Sequence, residues 1–565
     1  MFGTDWTLSG RIYEPIFEKS LDIPLAGGNH LNASVTRPDA EGEFPVILCV
    51  HAYAKEDQYA PLDPNAFSFQ RGHMEAGSSE FWARRGYVHV VVNVPGTGAS
   101  SGRFDNLGRG TIAAICEAIE WLSSQHWSNG RVGMFGISYF GLIQPLVAMH
   151  SPKGLAALFA PYGYTDIYRD RYYHGGILNH RFVESWLPTL DNPRAKSALR
   201  ESIDQEAYEE LLQHAKTDPE LAAVPYLQKV LQEHDADRNA PLIDALLQPL
   251  DGPYYRERSV DYDQGCTIPA YFGACWGVFG LHLPGALRSF ENWRGPKRLT
   301  IGPPVYLDRP FYQYHLEALR WFDHWLKDND TGMMDEPSVN LFVVGTGKWK
   351  SAHQWPLPET RFTRFYLHEN NALAEREYLA AEGSTSFNDS PYERGKAEFW
   401  SYPLVEETEI AGPMALELHA KTTGSEVLWF ITILCRDLNG EDRILTRGWL
   451  RGSQRATLPE RSRPWQPHHA HTAREPLTPS SAYKFDIEIR PYAISLKPGE
   501  KLGLRISCSD NETPPDPLQA ISMGHLARQD SSRVTVLHDT DHPSNLIVPI
   551  VSGNRIGTFV SGGKL

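Results

Sequence analysis

The stretch Val132-Gly-Met-Phe-Gly-Ile-Ser-Tyr-Phe-Gly-Leu-Ile-Gln-Pro-Leu-Val-Ala-Met149 decides the fold. Residues 132–135 form an apolar run, Ser138 sits between Gly136 and Gly141, and a second apolar run fills 142–149. Strand, glycine-flanked serine and helix in that order spell a nucleophile elbow. The turn is so sharp that a Cβ at the flanking positions would collide with its neighbours. The serine Oγ is lifted above the sheet, over the N-terminus of the following helix. The Tyr139 amide, first after the serine, then faces any oxyanion formed there. The spacing is G-x-S-x-x-G, one residue longer than G-x-S-x-G. It specifies a geometry and leaves the reactivity of the serine to its neighbours.

Outward from the elbow, strands and helices alternate. Residues 44–50, 87–94 and 155–160 read as buried strands, and 80–85 and 111–123 as helices. That order predicts an α/β class with a mostly parallel sheet and helices on both faces. Residues 198–216, 222–234 and 241–247 are helical by pattern, with no strand signal between them, so they predict a cap over the site. Strands return at 269–275 and 297–302, and an aromatic-rich helix spans 311–327. Its Trp321-Phe-Asp-His-Trp325 run fits a buried face at helical spacing. Short strands at 414–419, 427–435, 483–489, 501–506 and 533–537, separated by Gly, Pro and Asn, predict a C-terminal all-β sandwich or jelly roll. The expected boundaries are 1–175 and 263–335 for the two parts of the α/β domain, 176–262 for the cap, and 336–565 for the jelly roll.

The chain has 565 residues, too many for one ordinary core. Its formal net charge of −15 is spread rather than blocked, which argues against a nucleic-acid surface. No apolar run approaches about 18 residues, so no membrane role is expected. The first residues lack a basic segment followed by an apolar one, and six scattered cysteines form no C-x-x-C pair. A reduced, cytoplasmic protein is the expectation. His468-His-Ala-His471 has the side chains for a metal. It lies in a proline-rich stretch, 464–476, without a carboxylate or cysteine cluster, and reads as a solvated loop. Gly96-Thr-Gly98 with Gly102 is spaced G-x-G-x-x-x-G and reads as a glycine-rich bend rather than a nucleotide loop. No cofactor and no metal are expected.

Several motifs carry a resemblance over nearly the whole chain. They are His51-Ala-Tyr-Ala-Lys55, Arg85-Gly-Tyr87, Pro95-Gly-Thr-Gly-Ala-Ser-Ser-Gly102, the segment 133–141, Gly302-Pro303, Gly412-Pro413 and Val536-Leu-His-Asp539. Together they make the chain resemble the cocaine esterase and X-Pro dipeptidyl-peptidase group of serine hydrolases (S15, CocE/NonD type), which includes α-amino-acid ester hydrolases. The resemblance implies an α/β-hydrolase domain with an inserted helical cap, followed by a C-terminal jelly roll. It implies Ser138 as nucleophile, and Tyr53 as the tyrosine whose hydroxyl joins the Tyr139 amide in the oxyanion hole. The group often self-associates, which leaves a homodimer open.

The chain departs from the group where the chemistry is most demanding. A G-W-x-D-type turn carries the group's acid; here it reads Cys275-Trp-Gly-Val278. A G-P-W-x-H-type turn carries its histidine; here it reads Gly302-Pro-Pro-Val-Tyr306. The D-x-R-G turn reads Asn93-Val-Pro-Gly96. A serine hydroxyl is a poor nucleophile unless a base takes its proton. Loss of a triad member typically costs orders of magnitude in rate. Tyr306, a phenol with pKa near 10, is a poor base at pH 7, and Val278 cannot take part. His282 lies four residues past Val278, and Asp308 two past Tyr306. If the two roles had exchanged loops, His282 would be the base and Asp308 its orienter. Otherwise His282 packs at a helix start and Asp308 pairs with Arg309. His174 and His180 at the cap entrance are further candidates, while His73 and His315 read as loop and helix-surface residues.

Three functions follow as expectations, all on a small molecule. The first is hydrolysis of an ester, amide or lactone through Ser138 with a non-standard base. The second is a lyase, isomerase or cyclase reaction in which the oxyanion hole polarises a carbonyl and Tyr306 or His282 moves a proton. The third is a catalytically inactive binding homologue.

Overall fold

The computed structural model describes residues 7–53, 72–73, 75–186, 192, 194–233, 240–304, 310–376, 383–510 and 523–553. Ten strands make the first sheet. They are β1 (Pro15–Pro24), β2 (His30–Pro38), β3 (Phe44–His51), β4 (Val88–Asn93), β5 (Ser128–Phe135), β6 (Leu155–Pro161), β7 (Ala270–Cys275), β8 (Lys297–Gly302), β9 (Val339–Val343) and β10 (Lys348–Ala352). Their spatial order is β1-β2-β4-β3-β5-β6-β7-β8-β9-β10. The pairings from β4 through β9 are parallel, and both edges are antiparallel.

Every residue of β3, β4 and β7 is buried. Central parallel strands are covered on both faces, so they need near-continuous runs such as Val-Ile-Leu-Cys-Val rather than alternation. The edge strand β1 instead mixes exposed and half-buried positions. Its weak pattern explains why the hairpin β1–β2 escapes a reading based on apolar runs. The sheet also continues past residue 335, because β9 pairs in parallel with β8.

Helices cover the two faces. They include α1 (Ser79–Ala83), α2 (Arg109–Ser123) and α3 (Tyr139–Ala148). Helix α2 buries Ile112, Ile115, Ile119 and Leu122 at helical spacing. Helix α3 is buried all round and packs on β3, β5, β6 and α2.

The inserted cap is helical: α4 (His180–Trp186), α5 (Ala198–Ser202), α6 (Gln205–Thr217), α7 (Pro219–Ala222), α8 (Pro225–Gln232), α9 (Ala240–Leu246) and α10 (Pro253–Glu257). Two expected helices are each divided. Asp204 ends the first and caps α6, accepting from Ala207 N at 2.8 Å. Pro225 opens α8 at its first turn, so the expected 222–234 helix starts afresh there. Helices α11 (Leu283–Asn292) and α12 (Pro310–Lys327) complete the α/β-hydrolase domain.

The C-terminal half forms an eleven-stranded antiparallel-rich sheet system that includes Thr408–Thr422, Leu428–Arg436, Asp442–Arg451 and Tyr483–Leu496. The cap is bolted to it. Arg451 and Arg528 both donate to Glu220 of α7, at 2.5 and 3.1 Å. The 464–476 stretch is a correction to the sequence reading: His469 and His471 are buried, not solvated. Arg169 donates to the His469 carbonyl at 2.8 Å and thereby draws this loop under the cap. His315 is corrected likewise: it is buried, accepts from Ser78 N at 3.2 Å and stacks on Phe81. No described helix is long and apolar enough to cross a membrane. All six cysteines are free thiols.

Candidate active site

The β5–α3 connection has the backbone of an elbow. Ser138 adopts φ 55°, ψ −122°, a left-handed conformation that a non-glycine residue holds only under constraint. The constraint comes from both flanks. A Cβ on Gly136 would lie 2.4 Å from Phe140 Cβ, and one on Gly141 would lie 2.5 Å from the Pro161 carbonyl oxygen. Only glycine lets β5, α3 and the end of β6 approach this closely. The Ser138 carbonyl accepts from Gly141 N and Leu142 N at 2.9 and 2.8 Å, which starts α3 directly at the serine. The Tyr139 amide, the first of α3, therefore precedes every intrahelical hydrogen bond and stands at the serine end of the helix.

Tyr53 stands beside this helix start at the C-terminal end of β3. Its ring packs edge-on against Tyr139 (centroids 5.8 Å) and tilted against Phe140 (6.4 Å). Asn93 Nδ2 donates to the Tyr53 carbonyl at 3.1 Å and ties the end of β3 to the end of β4. Asn93 occupies the first position of the altered D-x-R-G turn, so that turn retains a supporting role for Tyr53. Trp186, the last residue of α4, closes the other side edge-on at 6.1 Å from Tyr53.

Val278 is buried at the turn after β7. His282 caps the start of α11, 2% exposed. Its ring stacks on Tyr164 (6.2 Å) and meets Tyr162 edge-on (6.1 Å). Burial lowers its pKa to about 3, so the imidazole is neutral at pH 7. Among the described residues no side chain hydrogen-bonds Ser138 Oγ. Tyr306 and Asp308 lie outside the described residues.

The other candidate histidines serve elsewhere. His174 Nδ1 and His525 Nε2 are hydrogen-bonded at 2.8 Å, and His525 Nδ1 bonds Asp510 at 2.7 Å. His180 bonds Glu184 one turn on, at 2.8 Å. His73 lies in a short strand, Gly72–His73.

One residue without a place in the sequence reading borders the site. Arg171 lies in a π-helical turn, Tyr168–Tyr172, and is fully buried. Its guanidinium sits 4.5 Å over Trp186 and 4.7 Å over Tyr172, with Tyr164 and Phe182 both at 5.9 Å. Nη1 donates to Tyr164 Oη at 3.0 Å. Arg171 is thus one ring away from Tyr53 through Trp186, and one ring away from His282 through Tyr164. Its sequence signal is an arginine inside the aromatic run Tyr168-Arg-Asp-Arg-Tyr-Tyr173, a pattern shared by ordinary packed surfaces.

The family follows from this fold and site. The X-Pro dipeptidyl-peptidase (S15 family) profile matches residues 27–305, and the X-Pro dipeptidyl-peptidase C-terminal non-catalytic domain profile matches 331–547. The chain belongs to this S15 family, and so to a class of hydrolases. It is 28% identical to the cocaine esterase of a Rhodococcus strain over 371 residues, a match that spans 62% of this chain and 62% of that protein. It is 24% identical to a putative serine esterase of Mycobacterium tuberculosis over 500 residues, spanning 75% of this chain and 78% of the other. A CocE/NonD family hydrolase from Staphylococcus aureus superposes with a TM-score of 0.78 at 25% identity, covering 95% of this chain and 94% of its own. An α-amino acid ester hydrolase shares the fold, with a TM-score of 0.71 at 15% identity.

Proposed function

We propose that this protein hydrolyses an ester or amide of a small molecule through Ser138, slowly and with a base other than the family's histidine. The observation that carries the reading is the strained Ser138 backbone, φ 55° and ψ −122°, held by close contacts on both sides. A position that costs of order 1–3 kcal/mol is retained where the surroundings over-determine it, and such sites cluster at chemistry.

In this reading Ser138 Oγ gives its proton to that base as it bonds to the substrate carbonyl carbon, and the carbonyl electrons move onto oxygen. The Tyr139 amide and the Tyr53 hydroxyl hold that oxyanion. Collapse expels the leaving group, which takes the proton from that base; water then adds to the acyl–serine ester, the acid departs with the water's OH, and the water's proton returns to Ser138 Oγ. With Val278 at the acid position, no carboxylate there stabilises an imidazolium. His282, lowered by burial to a pKa of about 3, is a weak base. Slow turnover follows, because the oxyanion hole and substrate positioning alone retain roughly 10³–10⁴-fold over water. Activated esters suit such a site, since their leaving groups need little protonation.

A second reading is favoured by the absence of a described hydrogen-bond partner for Ser138 Oγ. Here the oxyanion hole polarises a carbonyl for proton transfer, without an acyl-enzyme. Turnover of 4-nitrophenyl esters by purified protein and by Ser138→Ala separates the two. The hydrolase reading expects ester cleavage above background that Ser138→Ala abolishes. Equal rates for both proteins would overturn it.

A further inference from the structure

We infer that Arg171 is the anchor for a carboxylate carried by the substrate, so that this site takes anionic small molecules. The inference names the substrate class for the proposed site and rests on that site being the binding pocket.

The other buried arginines among the described residues show what such a side chain requires. Arg258 pairs with Asp105 at 2.7 Å, and Arg320 with Glu336 at 2.8 Å. Arg298 pairs with Glu336 at 3.3 Å and Arg447 with Asp510 at 3.4 Å. Arg451 pairs with Glu220 at 2.5 Å, Arg490 with Glu488 at 3.0 Å and Arg505 with Glu398 at 2.7 Å. Arg171 is as buried as any of them, yet no carboxylate among the described residues pairs with it. Its one hydrogen bond goes to a neutral phenol, Tyr164. A buried charge without a counter-charge is costly, and loss of a partner inside a protein costs several kcal/mol. Cation–π contacts with Trp186 and Tyr172 recover part of that.

The unsatisfied atoms are specific. Nε and Nη2 have no hydrogen-bond partner, while Nη1 is occupied. Nε and Nη2 share one edge of the guanidinium, the side-on fork that matches the two oxygens of a carboxylate. This chain uses that edge elsewhere: Arg436 grips Asp442 through Nε at 2.7 Å and Nη2 at 3.0 Å. The Arg171 guanidinium lies among rings that touch Tyr53 on one side, through Trp186, and His282 on the other, through Tyr164. The hydroxyl of Tyr139, the residue after the nucleophile, is also buried and without a hydrogen-bond partner among the described residues. Burial raises its pKa, and Arg171 is close enough to pull it down. Two donor groups that act on one another, Arg171 and the Tyr139 hydroxyl, thus lack an acceptor among the described residues, and both belong to the aromatic cluster that includes Tyr53 and Trp186. A planar carboxylate supplies the missing charge and the missing acceptors together.

Calorimetric binding to Ser138→Ala protein tests this without any turnover. The probes are glutarate and phenylacetate, each against its neutral amide. At least one carboxylate is expected to bind about tenfold or more tightly than its amide, and Arg171→Met in the same background is expected to erase that preference. Should Arg171→Met not fold, Arg171→Lys is read instead; it keeps the charge, gives up the fork, and is expected to lose most of the preference. Amides that bind as well as carboxylates, or a preference that survives both substitutions, would overturn the inference. The two readings fail separately. Carboxylate-selective binding in a protein that cleaves no ester would refute hydrolysis and leave the anchor standing. Cleavage of 4-nitrophenyl valerate in preference to its hemiglutarate analogue would do the reverse.

Discussion

At the residue scale, the candidate site is a serine held in an elbow, with valine at position 278 after β7. Ser138 keeps the elbow, Tyr139 keeps the helix-start amide, and Tyr53 keeps its place beside both. Val278 is a methyl-bearing wall where a carboxylate would orient an imidazole. If catalysis runs through the oxyanion hole, removing the Tyr53 hydroxyl should be felt in kcat. Tyr53→Phe is expected to lower kcat for ester cleavage about 10²-fold or more, with little change in thermal midpoint. An unchanged kcat in steady-state assays would remove Tyr53 from the reaction. His282→Gln is expected to lower kcat if the ring takes the serine proton, and to leave it unchanged if the ring only packs between Tyr162 and Tyr164.

At the element scale, one buried cluster joins the cap to the jelly roll. Glu220 on α7 accepts from Arg451 and Arg528, and Arg451 also lies 3.5 Å from Glu426. Removing the shared carboxylate strands buried positive charge. Glu220→Ala is expected to cost about 3 kcal/mol in urea unfolding, while Glu220→Gln costs less because it keeps one acceptor. A loss below about 1 kcal/mol would show that solvent relieves the arginines. The elements themselves are legible in the sequence where the physics is local. The buried strands around the elbow read as unbroken apolar runs, and β8 lies where its run predicts. The divided cap helices were marked by Asp204 and Pro225, whose capping and breaking roles a helical periodicity averages away. Arg171 and Asn93 were not legible as site residues. Their significance lies in what surrounds them, a missing carboxylate in one case and the Tyr53 carbonyl in the other, and neither is encoded by spacing.

At the scale of the whole molecule, buried histidines set the response to acid. Burial lowers His282 and His468 to about 3 and His315 and His469 to about 4, and it pushes His174 and His471 well below the ordinary 6.5. Unfolding releases these rings to bind protons at their ordinary pKa. The unfolded state therefore holds more protons below pH 6.5, and stability is lost as pH falls through the window from 6.5 toward 4. Each such ring contributes about 1.4 kcal/mol per pH unit in that window. Burial also raises Asp244 and Glu291 to about 6, which acts in the opposite sense between pH 6 and 4. The histidines outnumber them, so the net effect is acid lability. The urea midpoint is expected to fall steeply between pH 7 and pH 5. A flat profile would mean that the rings reach solvent in the native state.

The central claim is that Ser138 is a working nucleophile with valine at position 278 and tyrosine at position 306. The most direct measurement is the intact mass of the folded protein after exposure to a fluorophosphonate, with Ser138→Ala in parallel and peptide mapping of any adduct. A single adduct on Ser138 that forms over hours and is absent from Ser138→Ala is the predicted result. A folded wild-type protein that gains no mass, or gains it equally in Ser138→Ala, would contradict it.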